Sequence, residues 1–410
     1  MVRDDDVPEP QGALSLAEAL SAALRRSPDL AAFSYEVRAM EADAIQQGLL
    51  PNPEVSVEFE NFAGSGQNAG IKALETTVAL GQVIELGGKR SARRRVGDAA
   101  AELAMWDYEV RRLEVLGKTA GDYVALLTAY RRAEIAREVE ALARRVSRAV
   151  DERVRAGKVS PLERTRASVE LARAKLAREE AEREVFAARI RLASNWGSTT
   201  PRFDTLSGDL ERVEPPPALD ELYQRVEQSP DLRRWVQAEA LRRAEIELAL
   251  SGRKPDLTAG VGVRLFNESD DAALVAGLAI DLPIFDRNQG ALKASRLRLL
   301  RTQQDREAAW VRARASLAQE YGALTNAYMR VKTVREEILP AAETAFEAAE
   351  VAFRQGKIGA LDLFDAQRSL FDAKRQLTQA LAMYHIEVIA VERLIGTTLH
   401  EGREAEGDGS

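Results

Sequence analysis

The chain repeats itself once, and each copy is built around helices too long for an ordinary globule. "SPDL" occurs at Ser27–Leu30 and again at Ser229–Leu232. Pro53 and Pro255 keep the same offset, each followed by an acid (Glu54, Asp256) and an alternating run. "RAGKVSPLERTRASVELARAK", from Arg155 to Lys175, returns as "RQGKIGALDLFDAQRSLFDAK", from Arg354 to Lys374. Gly197 and Gly396 close the two halves in "SNWGST" and "RLIGTT". Such a train of markers, with a period of roughly 200 residues, indicates a duplicated unit. A Pro-rich joint, "VEPPPALDEL", separates the copies.

Each half reads helix, strand, strand, long helix, long helix. No proline interrupts Lys89 to Arg155, or Gln289 to Ile338. Sixty-odd helical residues at 1.5 Å each span roughly 90–100 Å, more than a compact domain can house. Apolar residues recur at three-four spacing through Leu103, Trp106, Val110, Leu113, Ala120, Val124 and Leu127. Leu363, Leu370, Leu377, Tyr384 and Val391 keep a strict seven-residue step, the signal of side-by-side helix packing.

The strands alternate. Val55, Val57 and Phe59 oppose Ser56, Glu58 and Glu60. In the second half Leu257, Ala259, Val261, Val263 and Leu265 oppose Thr258, Gly260, Gly262 and Arg264. Each pair of runs reads as a hairpin with one apolar face. The expected organisation is a disordered segment over 1–13 and a first repeat over 14–212 (hairpin 54–86, helix pair 89–196). A second repeat follows over 213–398 (hairpin 256–284, helix pair 289–396), then a disordered tail over 399–410.

Composition narrows the chemistry. Charged residues are 30% of the 410 and aromatics 6%, a long-helix profile. The net charge of -7 leaves no basic footprint for nucleic acid. There is no cysteine, hence no disulfide, thiol chemistry or Cys-ligated metal, and the two histidines are too few for a multi-His site. His385, in an apolar helix, reads as a packing residue, and His400 lies in a polar tail. No catalytic set, cofactor fingerprint or metal-ligand cluster is present, so an enzyme is not expected. "ELGGKRSARR" lacks phosphate-loop spacing and reads as a strand-to-helix bend. No run is long and apolar enough for a transmembrane helix. The polar start reads as neither a signal peptide nor a lipid-anchor site.

Four strands and four long helices make an awkward monomer, because two hairpins leave open sheet edges. Oligomerisation resolves this. Copies could close the strands into a barrel, with apolar faces toward lipid and polar faces toward a watery lumen. The alternative is a soluble coiled-coil scaffold whose hairpins pack on protein.

Over about residues 14–398 the chain resembles the TolC-type outer-membrane efflux proteins. The paired turns "RVRAGKVSPLERTRA" and "FRQGKIGALDLFDAQRSL" carry the resemblance, with the duplicated layout. "GLLPNPEVSVEFEN", "QVIELGGKRSAR" and "DLPIFDRNQGALKAS" are similar to the heavy-metal, CzcC-like branch. The resemblance implies a homotrimer with a twelve-stranded barrel in outer-membrane lipid, four strands per chain, continued by an α-helical conduit through the periplasm. It also implies two partners, a periplasmic adaptor and an inner-membrane pump of the RND type, with no chemistry in the channel itself. Multidrug efflux and type I protein secretion are the other cargo classes for such a channel.

The turns would then be periplasmic tips. Gly157, Lys158, Val159 and Ser160, with Gly356, Lys357, Ile358 and Gly359, are the implied adaptor-docking residues. Gly157 and Gly356 supply the positive φ that ends a helix, and Pro161 suits a first helical turn. Asp362 and Asp365 share a helix face, with Asp372 on the same stripe. Acids in a first turn also favour the helix dipole and cap free N–H groups, which alone would explain Asp362. The resemblance implies acidic rings at a periplasmic aperture, where mutual repulsion favours cation occupancy or opening. The first half carries Glu163 and Arg166 at the matching places, so the stripe is not duplicated. Ile358 departs from the polar or basic tip residue of parts of the family, so the closed-state links are left unassigned.

Overall fold

The computed structural model describes residues 9–399. These form six strands and nine α-helices, in the order β1 (Gly12–Ser15), α1 (Leu16–Arg26), α2 (Pro28–Gln47), β2 (Glu54–Glu60), β3 (Glu75–Ile84), α3 (Lys89–Arg155), α4 (Pro161–Ser194) and β4 (Phe203–Ser207) in the first half. The second half holds α5 (Leu219–Val226), α6 (Pro230–Ser251), β5 (Leu257–Phe266), β6 (Asp271–Ile280), α7 (Gln289–Thr333), α8 (Leu339–Arg354) and α9 (Ala360–Ile395). Two compact units result. One comprises the chain up to Ser34, Tyr108–Leu232 and the chain from Ala309 on; the other comprises Tyr35–Asp107 and Arg233–Ala308. Each unit draws on both sequence halves, because strands and helices of one half pack against those of the other.

In the second unit β2-β3-β5-β6 form one antiparallel sheet. The halves meet where β3 pairs with β5, with Val78 opposite Val263 and Leu80 opposite Val261. Register places Val55, Leu80, Val261 and Ala276 in one row, and Val57, Val78, Val263 and Leu274 in the next, all on one face. That face is not covered: Leu274 is 89% and Leu278 76% exposed, and Val55, Val57 and Phe59 are exposed too. Glu58, Thr77 and Arg264 share a row on the opposite face. There Arg264 bridges Glu60 (2.7 Å) and Glu75 (2.8 Å) and donates to Thr77 Oγ1 at 2.9 Å. Nearer the helical end of this face Gly81, Gly260 and Gly277 lie side by side. β2 and β6 are the sheet's open edges.

The first unit is helical. The seven-residue seam of α9 is its spine: Leu363, Leu370, Tyr384 and Val391 are buried. Tyr384 and Val391 pack with Leu317, Leu324 and Val331 of α7. A second core joins Trp196 and Phe203 to Leu14, Tyr123 and Leu126. Within the expected disordered segment 1–13, the described residues 9–13 differ from that expectation, since β1 begins at Gly12 and pairs in parallel with β4. Tyr123 Oη lies 3.0 Å from the Leu14 carbonyl and 2.9 Å from that of Ser207, clasping both strands. Residues 1–8 and 400–410, with His400, lie outside the described residues; Leu399, assigned to the tail, is buried, and its N–H donates to Glu392 at 2.8 Å.

The second long helix pair is also interrupted. A π-helical turn, Val334–Ile338, separates α7 from α8, with Pro340 just beyond it. Proline has no N–H and crowds the carbonyl four residues back, and a wider turn accommodates both defects.

Candidate functional site: two helical turns and an acidic stripe

Both tips close by the same hydrogen bonds. After α3, Gly157 N–H donates to the Val154 carbonyl at 3.0 Å and Lys158 N–H to that of Arg153 at 2.9 Å. After α8, Gly356 N–H donates to Phe353 and Lys357 N–H to Ala352, each at 2.9 Å. This paired closure satisfies carbonyls left over at the helix end and needs a left-handed residue. Gly157 and Gly356 provide it, at φ +69° and +74°. The glycines and lysines are exposed, whereas Val159 and Ile358 are half-buried. Ile358 packs on a cluster containing Phe353, Ala360, Leu363 and Phe364.

The returning helices start differently. Ser160 Oγ accepts the Leu162 N–H at 3.3 Å, with Pro161 in the first turn of α4. Gly359 has no hydroxyl, so Asp362 reaches back and its Oδ2 accepts the Gly359 N–H at 3.1 Å. Asp362 is therefore committed to the cap of α9. Asp365, exposed, pairs with Arg368 at 3.6 Å, and Asp372 pairs with Arg375. Ser369 Oγ turns back to the Asp365 carbonyl at 3.1 Å. Within one chain the stripe is thus acids interleaved with arginines. In the first half Glu163 pairs with Arg166 at 3.2 Å, while Arg164 reaches Asp151 at 2.8 Å.

Arg153 went unnoticed in the sequence. Its guanidinium donates to the Phe353 carbonyl at 2.7 Å and lies 4.3 Å over the Phe353 ring. One arginine on α3 thereby caps the last turn of α8, where positive charge is favoured. The signal was a basic residue in the last turn before Gly157. Its partner, 200 residues away in the chain, could not be read from local pattern.

Higher on α9 burial raises the Glu387 carboxyl above the ordinary range, reinforced by a hydrogen bond with Glu320. His385 Nε2 lies 2.9 Å from the Leu210 carbonyl, and its ring stacks edge-on against Tyr384. In the second unit Gly87 and Gly88, at φ +77° and +74°, turn β3 into α3. Asp256 secures that bend by accepting the Leu86 N–H (3.1 Å) and Lys89 Nζ (2.8 Å). Among the described residues no group of three or more His, Cys, Asp or Glu is placed to hold a metal ion. None of their helices is long and apolar enough to cross a membrane.

The family model for outer membrane efflux proteins matches residues 19–198 and 222–397, both halves of the chain. This chain belongs to the outer membrane efflux protein family. It is 33% identical over 389 residues to the cobalt-zinc-cadmium resistance protein CzcC of Cupriavidus metallidurans, covering 95% of this chain and 91% of that one. To the nickel-cobalt-cadmium resistance protein NccC of Alcaligenes xylosoxydans it is 27% identical over 293 residues, 69% of this chain and 65% of that one. The Campylobacter jejuni CmeC outer membrane channel superposes with a TM-score of 0.76 at 16% identity, covering 95% of this chain and 88% of that one. At that identity the likeness speaks for the fold of this outer membrane efflux protein.

Proposed function

We propose that the protein is the outer-membrane channel of an RND-type tripartite efflux system and that it exports heavy-metal cations. The observation that carries the channel is the uncovered apolar face of the four-stranded sheet, backed by a face of Glu, Thr and Arg. A soluble scaffold would leave that face in water. Three copies joined through the β2 and β6 edges would complete a twelve-stranded barrel, with lipid outside and water within. Its helices would form the periplasmic conduit. The metal cargo rests on the relatives, whose names record resistance to cobalt, zinc, nickel and cadmium.

In this reading Gly157, Lys158, Val159 and Ser160, with Gly356, Lys357, Ile358 and Gly359, form the docking surface for a periplasmic adaptor, which joins the channel to an inner-membrane pump. Asp362 and Asp365 contribute acidic rings at the aperture, and Asp372 extends them. Within one chain Asp362 is bonded at the cap of α9, while Asp365 and Asp372 face Arg368 and Arg375. Selectivity among cargoes belongs mainly to the pump, since a wide conduit contacts its cargo loosely.

A growth panel on a deletion strain tests this reading. Cobalt, zinc, cadmium and nickel are compared with lipophilic drugs and detergents. Sensitivity to the metals, restored by the gene, is the expected result. Sensitivity to drugs alone would keep the channel and discard the metal cargo.

A further inference from the structure

We propose that the junction of sheet and helices in the second unit binds phospholipid headgroups, with Phe285 as its apolar anchor and Arg253, Lys254 and Arg287 as its phosphate ligands. This rests on the outer-membrane reading and adds a ligand class to it. The apolar face of β6 does not stop where the strand stops. Leu274, Leu278 and Ile280 alternate along it, and exposed Leu282 and Ile284 continue the step. Phe285 follows, and it is 92% exposed.

The segment is held rather than loose. Ile284 N–H donates to the Leu282 carbonyl at 2.8 Å, a three-residue turn around Pro283 that breaks the alternation before Phe285. Asp286 accepts the Asn288 N–H at 2.9 Å, and Gln289 accepts the Arg287 N–H at 2.8 Å. Asn288 Nδ2 donates to the Ala249 carbonyl at 2.8 Å, which ties the segment to the last turn of α6, just ahead of Arg253 and Lys254. Lys254 in turn lies against Gly87, where a Cβ would come within 2.6 Å of its Cδ. Lys89, nearby, is taken by Asp256. Arg253, Lys254 and Arg287 have no carboxylate in ion-pair range among the described residues, and Arg287 Nε donates to the Ile284 carbonyl at 3.1 Å, which holds its guanidinium beside Phe285.

An exposed aromatic at the rim of an apolar belt, beside cations without a carboxylate partner, matches the layering of a phospholipid leaflet. Acyl chain meets the belt, the glycerol region meets the ring, and phosphate meets the cations. Anionic headgroups are favoured, each nearby cation adding attraction. The lipid would be one of the leaflet at the helical end of the sheet, since Leu282 to Phe285 follow the β6 terminus that pairs with the start of β5.

The absence of native cysteine makes single labels clean. The full chain carrying Phe285→Cys, Leu274→Cys or Asn68→Cys is labelled with a polarity-sensitive fluorophore. Each is reconstituted in vesicles of phosphatidylethanolamine and phosphatidylglycerol containing nitroxide lipids. The Leu274 label reports the belt, and the Asn68 label in the β2–β3 loop reports water. The expected result is blue-shifted Phe285 emission, quenched by nitroxides near the headgroup. Spin-labelled phosphatidylglycerol should quench it several-fold more than spin-labelled phosphatidylcholine, and R253Q/K254Q/R287Q should abolish that preference. Quenching at Leu274 without quenching at Phe285 would overturn the headgroup site and leave the channel standing; a blue-shifted but unquenched Phe285 label would assign the surface to a second copy. Equal quenching by both lipids would remove the cationic ligands. No quenching at Leu274 would overturn the membrane reading and this inference with it.

Discussion

Removing Arg153 should loosen the second tip far more than the first. Its guanidinium makes two contacts with one residue, a charge-assisted hydrogen bond of 2.7 Å to the Phe353 carbonyl and a ring contact at 4.3 Å. A hydrogen bond to a charged group contributes about 1.5–3 kcal/mol. A partly exposed cation–π contact adds about 0.5–1 kcal/mol. The two share one side chain and are not additive, so Arg153→Ala should cost about 2–3 kcal/mol locally. The same Phe353 carbonyl accepts the Gly356 N–H, so the loss should appear as easier opening of that turn. Native-state hydrogen exchange at Gly356 and Lys357 is the assay. At about 1.4 kcal/mol per tenfold, protection should fall by roughly 30- to 140-fold at these amides. Those of Gly157 and Lys158, whose acceptors belong to α3 itself, should change little. Arg153→Lys should recover part of the protection through charge alone. Phe353→Leu keeps the carbonyl bond and removes the ring contact, with an added packing cost because Phe353 is buried among Leu363, Phe364 and Ile358. Unchanged exchange at Gly356 in Arg153→Ala would refute the idea that α3 holds the end of α8.

Asp365→Ala should weaken divalent-cation block of the reconstituted channel at almost no cost in stability, since its pair with Arg368 is exposed. Asp362→Ala should cost about 1 kcal/mol through the lost cap, read as faster exchange at the start of α9; block unchanged in the double variant would remove the rings. At Gly157 and Gly356 no atom lies within 4 Å of an added Cβ, so the penalty there is purely conformational, about 1–2 kcal/mol for an L side chain. Gly356→Val should therefore impair adaptor crosslinking while Gly356→Asn is tolerated; equal crosslinking by both would show that the turn's backbone is not what the partner reads. Glu387 has a raised carboxyl pKa, so its contribution is fully present below the ordinary carboxylate range and is lost as pH rises through the raised value. Glu387→Gln should flatten that part of the stability–pH profile and stabilise the protein at neutral pH; a steeper profile in thermal melts would reverse the assignment.

The strands and tips could be read locally because their causes are local. Alternation at Val55–Val57–Phe59 and Val261–Val263–Leu265 reflects the two-residue period of a strand, and Gly157 and Gly356 mark positions where only left-handed backbone closes the turn. β1 and β4 escaped because "GALS" and "FDTLS" are too short to show a period; their pairing depends on Tyr123, far away in the chain. The π turn in "VREEI" has helical composition, and only Pro340 downstream hinted at it. The dual nature of Asp362 was visible in advance, since an acid three residues after a cap position is both a capping group and a surface charge. What could not be read was that Arg368 and Arg375 would pair with Asp365 and Asp372, because side-chain pairing depends on rotamers as well as spacing.

The row Gly81–Gly260–Gly277 has a consequence for flow. Three neighbouring strands present no side chain there, leaving Glu54 of β2 as the row's one side chain, and the next row toward the loops holds Ser56, Ala79, Gly262 and Val275. Beyond it come Glu58, Thr77 and Arg264, then Glu60 and Glu75. A barrel lined by this face would open into a vestibule above the helices and narrow toward its outer lip. Water and ions would cross the vestibule at close to bulk mobility. In the proposed channel the Arg264 row, tied to Glu60 and Glu75, would be the charged part of the barrel, in series with the aperture of the acidic stripe.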